Sequence, residues 1–201
     1  MCLAVLAALL AAVHGGPASA ADREPVSVLV VYHSATGNTE KMAQAVAEGA
    51  KAVPGTSVVL KRVGEVDASD LSSSDAVIVG SPVYFANMSG ETKTFFDNWS
   101  LKFDLFRDRK MRDKVGAAFS TGGSVSAGKE FTILAILAAM LNNQMIIVSG
   151  AEGFGASATT GPDSPGIDEK ELASARDLGR RVAEVTAVVK RGSGRMIPGR
   201  P

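Results

Sequence analysis

Residues 26–40 read VSVLVVYHSATGNTE. The first seven, VSVLVVY, are almost unbroken aliphatic and β-branched side chains. Such a run predicts a strand buried on both faces, hence parallel and central. Residues 40–53 then read as a helix. Met42, Ala43, Val46, Ala47 and Ala50 fall on one face, and Pro54-Gly55 stops it. Between strand and helix lies HSATGNT, a short hydroxyl-rich turn pivoting on Gly37. It delivers the chain to a helix N-terminus, where free backbone N–H groups and the helix dipole favour an anion. The lysine of a G-x-x-x-x-G-K-[ST] nucleotide loop is absent, and so is G-x-G-x-x-G. A single terminal phosphate held by neutral donors fits this turn. A capped strand-to-helix turn that binds nothing is the competing reading.

Working outward, strands are predicted at 57–63, 76–80, 115–120 and 145–149, and helices at 90–99 and 128–141. The stretch 67–75, DASDLSSSD, reads as a polar connection, 101–114 as a charged loop, and 150–166 as a Gly/Ser/Thr/Pro-rich loop. Asp168 and Glu171 form a capping box for a long last helix. Five apolar strands alternating with helices predict a three-layer, doubly wound α/β fold. The expected sheet is five-stranded and parallel, in the order 2-1-3-4-5, with its ligand crevice between strands 1 and 3.

The chain has 201 residues, 46% hydrophobic, with 21 basic and 21 acidic side chains. That suits one globular domain over 21–190. Zero net charge and 5% aromatic content leave neither a basic field nor a stacking surface for nucleic acid. Residues 1–20 hold an apolar run, too short to span a bilayer, that ends in Ala18-Ser19-Ala20. This predicts a signal peptide cut before Ala21, with no basic residue ahead of the run, and hence an exported protein. An untranslocated extension on a cytoplasmic protein is the alternative. Cleavage would remove Cys2, the only cysteine, and His14, one of two histidines, leaving no thiol chemistry and no zinc cluster. Residues 191–201 read as a flexible basic tail.

Three loops should meet at the carboxyl edge of the sheet. The second, SPVYFANMSG, puts Pro82 and Tyr84-Phe85 past the third strand, where they can wall a flat ring; a core Phe85 and an ordinary surface Tyr84 are the bland alternative. The third, STGGSVSAGKE, offers Gly122 and Gly123 for close backbone approach, or is only a flexible loop. A phosphate cradle, an aromatic wall and a glycine-rich edge together fit flavin mononucleotide (FMN).

The segments VLVVYHSATGNTEKMAQAVAEGAK, VGSPVYFANMSGETKTFFDNW, FSTGGSVSAGKEFT and EGFGASATTGPD…EKELASARDLGRRVAE resemble the WrbA-type NAD(P)H:quinone oxidoreductases of the flavodoxin-like superfamily. The likeness covers most of 26–189. It implies FMN-dependent, two-electron reduction of quinones by NAD(P)H in a homotetramer. By position, it implies that Ser34, Ala35, Thr36, Gly37, Asn38 and Thr39 hold the phosphate. Val83, Tyr84 and Phe85 would contact the ring, and Thr121, Gly122, Gly123, Ser124, Val125 and Ser126 would line its other edge. Thr36 replaces the family's usual aromatic and, with Trp99, is placed at the substrate. Asn143 replaces a histidine near the flavin. The connection between strands 2 and 3 is shorter than in the family, and the family is usually cytoplasmic. An electron-carrier flavoprotein and a cofactor-free scaffold are the two other functions compatible with these residues.

Overall fold

The side chains of Val28, Leu29, Val30 and Val31 are all buried, so both faces of the strand Val26–Tyr32 (β1) are covered. The computed structural model describes residues 25–150, 153–161 and 166–193. The leader reading of 1–20, with Cys2 and His14, lies outside them.

Around β1 the elements run Asn38–Lys51 (α1), Thr56–Arg62 (β2), a 3-10 turn at Val63–Glu65, Ala68–Ser73 (α2) and Ala76–Tyr84 (β3). Asn87–Met88 (β4), Gly90–Leu101 (α3), Val115–Gly122 (β5), Lys129–Asn142 (α4), Ile146–Ile147 (β6), Ala156–Thr159 (β7) and Glu169–Ser193 (α5) complete the chain. The sheet order is β2-β1-β3-β5-β6. β4 is a two-residue antiparallel arm folded back on β3, so β5 is the fourth parallel strand. The expected winding is therefore present, but with seven strands rather than five. The fifth place is filled by two pieces set end to end: β6 pairs with Val115 and Gly116, and β7 with residues 119–122 of β5. Gly/Ser-rich composition hid β7, whose pattern ASAT carries only small side chains.

Side chains alternate between two cores, as the pleat requires. Val28, Val30, Ile78 and Phe119 face α1 and α5, meeting Met42, Val46, Leu178 and Val182. Leu29, Val31, Val77 and Val79 face the other way, onto Phe95, Trp99, Ile136 and Met140. α1 and α5 touch backbone to backbone. A Cβ at Gly49 would stand 1.8 Å from the Arg176 carbonyl oxygen, and one at Gly179 1.9 Å from that of Val46.

Three boundaries differ from expectation for identifiable reasons. The "polar connection" contains α2, because Asp67 accepts from the Ser69 and Asp70 amides while Asp70 accepts from the Asp67 amide. β3 runs on to Tyr84, since pairing with β4 and β5 continues past Gly80. α5 includes Arg191 to Ser193, the first three residues of the predicted tail; 194–201 lie outside the described residues.

Candidate functional site

The first loop is shaped by one glycine. Gly37 sits at φ +87°, a left-handed conformation that side chains resist, with open space where a Cβ would be. Its amide donates to Ser34 Oγ at 3.1 Å, and Asn38 Nδ2 donates to Thr36 Oγ1 at 3.2 Å. The first amide of α1 to find a helical acceptor is that of Lys41, bonded to the Gly37 carbonyl at 3.0 Å. The amides of Asn38, Thr39 and Glu40 precede it and have no backbone acceptor among the described residues. Ala35, Thr36 and Gly37 are exposed, and Ser34 and Thr39 are buried. The mouth of α1 is thus a set of free neutral donors at the positive end of a helix dipole.

Arg62, which sequence reading did not single out, braces this loop from the side. It ends β2 directly opposite Tyr32. Its guanidinium donates to the Ser34 carbonyl at 3.0 Å and to Glu40 at 2.6 Å, and lies 5.3 Å from the Tyr32 ring centroid. Tyr32 donates to Glu40 at 2.8 Å. Burial, then the Glu40 bond, hold the Tyr32 phenol above its ordinary pKa. Aligning the ends of neighbouring strands would have pointed to Arg62.

The second loop is a tight hairpin. Tyr84 pairs with Asn87, and the two turn residues Phe85 and Ala86 take φ of 50° and 62°. Both signs are those of a type I′ turn, normally given to Asn or Gly. Phe85 is fully exposed and Tyr84 is 42% exposed. Strained turns and solvent-exposed aromatics are features that gather at functional and contact surfaces. His33 joins this hairpin to the first loop. Its ring meets Tyr84 edge-on at 6.2 Å, and its Nδ1 is 2.9 Å from Ser89 Oγ and 3.6 Å from Glu91. Ser89 caps α3 through the Thr92 amide.

The third loop closes the cluster. Thr121 is buried and shares a 2.8 Å hydrogen bond with Thr39, tying it to the mouth of α1. Gly122 accepts from the Thr160 amide at 2.8 Å, and a Cβ at Gly161 would stand 1.6 Å from the Gly123 carbonyl oxygen. The Ala158–Gly161 stretch therefore lies directly against Gly122-Gly123, which only a glycine permits. A Cβ at Gly128 would come within 2.8 Å of Ala86 Cα, so the hairpin tip and the third loop also touch. Ser124, Val125 and Ser126 form the loop's outer turn, with Val125 exposed.

Two predicted residues are not brought to this cluster. Trp99 is 1% exposed and packs on Phe95 and Phe96 at centroid distances of 5.7 and 5.0 Å. It is a core residue, closed to a ligand at the crevice. Asn143 follows the far end of α4, bonded to the Ala139 carbonyl at 2.9 Å. Fourteen residues of helix put it about 20 Å from the third loop. A helix that returns antiparallel to the strands carries its last residues to the opposite edge of the sheet.

Free neutral donors, an exposed aromatic turn and a glycine-bounded loop together accept a phosphomonoester joined to a flat ring. The pattern of NADPH-dependent FMN reductases matches residues 26–159. "NAD(P)H dehydrogenase (quinone) 3" of Rhizobium meliloti strain 1021 is 33% identical, over 85% of this chain and 97% of its own length. A flavodoxin of Aquifex aeolicus is 36% identical, over 80% of this chain and 87% of its own. Among solved structures, the flavodoxin, WrbA-like protein from Agrobacterium tumefaciens superposes with a TM-score of 0.68 at 28% identity, covering 80% of this chain and 97% of that one. The architecture is flavodoxin-like, and the chain belongs to the NADPH-dependent FMN reductase family.

Proposed function

We propose that this protein is an FMN-dependent NAD(P)H:quinone oxidoreductase. The observation that carries the proposal is the trio of uncommitted amides at Asn38, Thr39 and Glu40, tied through the Thr39–Thr121 bond to an aromatic hairpin and a glycine loop. The residues fit the cofactor. Ser34, Ala35, Thr36, Gly37, Asn38 and Thr39 hold its phosphate; Val83, Tyr84 and Phe85 face its ring; residues 121–126 line the opposite edge. When bound, FMN accepts a hydride from NAD(P)H and passes two electrons to the acceptor. The protein's part is positional. Arg62 and Glu40 fix the first loop, the Ser89 cap and His33 fix the hairpin, and Thr160 fixes the third loop. Thr36, small and exposed, leaves the mouth of the crevice open to nicotinamide or quinone. Mixing purified protein with FMN, NADH and a benzoquinone tests this. Flavin-dependent NADH loss is expected, and its absence rejects the activity.

The 36% identical flavodoxin and the exposed Phe85 favour a second reading, a carrier that receives electrons from a protein partner. Zero net charge speaks against it, because carriers dock through charged faces. Holoprotein that accepts electrons from a reductase but never from NAD(P)H directly would decide for the carrier.

Self-association, as a homotetramer, is part of the proposal. α4 buries Ile133, Ile136, Leu137 and Met140 yet also exposes Phe131, Leu134 and Leu141. Native mass spectrometry of the wild type and of Leu141→Glu checks it, with dissociation expected for the variant. Export rests on residues 1–20 alone and is checked by sequencing the mature N-terminus. No helix among the described residues is long and apolar enough to cross a membrane.

A further inference from the structure

Lys129 opens α4 beneath the third loop, and only 5% of it is exposed. Its ammonium donates to the Ser124 carbonyl at 3.1 Å, the Val125 carbonyl at 3.3 Å and Thr159 Oγ1 at 2.8 Å. Three N–H groups thus meet three acceptors, and every acceptor is uncharged. Among the described residues no carboxylate pairs with it. A buried cation without a counter-ion is costly in a fold, and such local violations gather at functional sites.

The peptide plane shows what the cation does to the loop. In a trans peptide, C=O and the following N–H point in opposite directions. The carbonyls of Ser124 and Val125 turn inward to the ammonium. The amides of Val125 and Ser126 are therefore turned away from it, to the outer side of the loop, and neither finds an acceptor among the described residues. Two donors in front and a positive charge behind favour an anion over a neutral group at that surface.

This bears on electron transfer, and it rests on the FMN assignment above. A hydride carries two electrons and one proton. Its passage from NAD(P)H leaves the nicotinamide one unit more positive and the flavin one unit more negative. Delivery of the hydride to a quinone, with one proton from solvent, restores the flavin's charge. We infer that Lys129 is a positioning residue whose buried ammonium, acting through the third loop, stabilises the reduced, negatively charged cofactor over the oxidised one. It thereby raises the reduction potential of the bound flavin.

The test compares Lys129→Gln with the wild type. Glutamine keeps donors for the loop carbonyls and removes the charge. Anaerobic titrations with oxidised FMN and with chemically reduced FMN give two dissociation constants for each protein. The variant is expected to lose at least tenfold more affinity for reduced than for oxidised FMN. For a two-electron couple that is a potential lower by about 30 mV. Lys129→Arg should retain the wild-type ratio. Thr159→Asp, which supplies the missing carboxylate while leaving Lys129 in place, should shift the ratio in the same direction as Lys129→Gln. It gives the answer if the glutamine variant does not fold. Equal loss of both forms, or no loss, overturns the inference and leaves the cofactor assignment standing. Wild-type protein that takes up neither form overturns both.

Discussion

The two ends of this sheet are built from similar residues and arranged in opposite ways. At the amino edge a network of charged and polar groups is spent on the protein itself. Asp75 accepts from the Ser27 amide and hydroxyl at 2.8 and 3.0 Å and from Lys190 at 2.8 Å. Lys190 also holds the Pro25 carbonyl, and Lys114 holds the carbonyls of Ser72 and Ser74. At the carboxyl edge, among the described residues, the amides of 38–40 are unspent, a phenyl ring stands in solvent on a strained turn, and a buried ammonium has no counter-ion. The first end staples strands and helix; the second keeps donors in reserve. Stability and binding are thereby assigned to different edges of one sheet.

Substitutions should separate these tasks. Thr36→Glu introduces a carboxylate at an exposed position in front of the free amides. FMN affinity is expected to fall about 100-fold, roughly 2.7 kcal/mol of repulsion and blocked access. A calorimetric melt should be unchanged, and flavin fluorescence titration reads the loss. Unaltered uptake would break the contrast at its strong end. Asp75→Ala should do the reverse. It strands the Ser27 donors and Lys190 and should cost about 1.5 kcal/mol in urea unfolding, a figure kept low because the pair is partly solvated. FMN affinity should be untouched.

Phe85→Gly sharpens the comparison, because it removes strain and function together. The side chain packs on nothing, so relief of the positive φ should stabilise the protein by roughly 1 kcal/mol, seen as a higher melting temperature. Quinone reduction by the holoprotein should slow. The smallest effect concerns acid. Burial pushes the Asp75 carboxyl up, but the bonds from Lys190 and Ser27 outweigh it and hold the group below the usual carboxylate range. A depressed carboxylate stabilises the fold fully above its unfolded pKa and loses that contribution as pH falls through the folded value. The stability gap between wild type and Asp75→Asn should therefore be flat near neutrality and narrow in acid.

What the sequence disclosed follows the same division. β1, α1 and the first loop were legible because an unbroken apolar run, a helical period and a pivoting glycine are all local signals. The three loops could be grouped because winding order alone sets them side by side. α2 was missed although its capping box, Asp67 with Asp70, was written in the chain; serine-rich composition masked it. Arg62 and Lys129 were missed for a deeper reason. Arg62 acts on a loop 28 residues away in the chain, and Lys129, though only four and five residues from the carbonyls it holds, looks the same in sequence whether it is solvated or buried. Trp99 was placed at the substrate by resemblance, whereas its burial among Phe95 and Phe96 is decided by packing beneath α3.

The close approach of α1 and α5 at Gly49 and Gly179 has a consequence for the order of events in the cell. α1 is aimed by residues 176–182, which leave the ribosome more than a hundred residues after it does. The opening element cannot be seated until the closing one has arrived. Cofactor capture is thus a property of the finished polypeptide, and a chain truncated before α5 should emerge colourless however intact its first forty residues are.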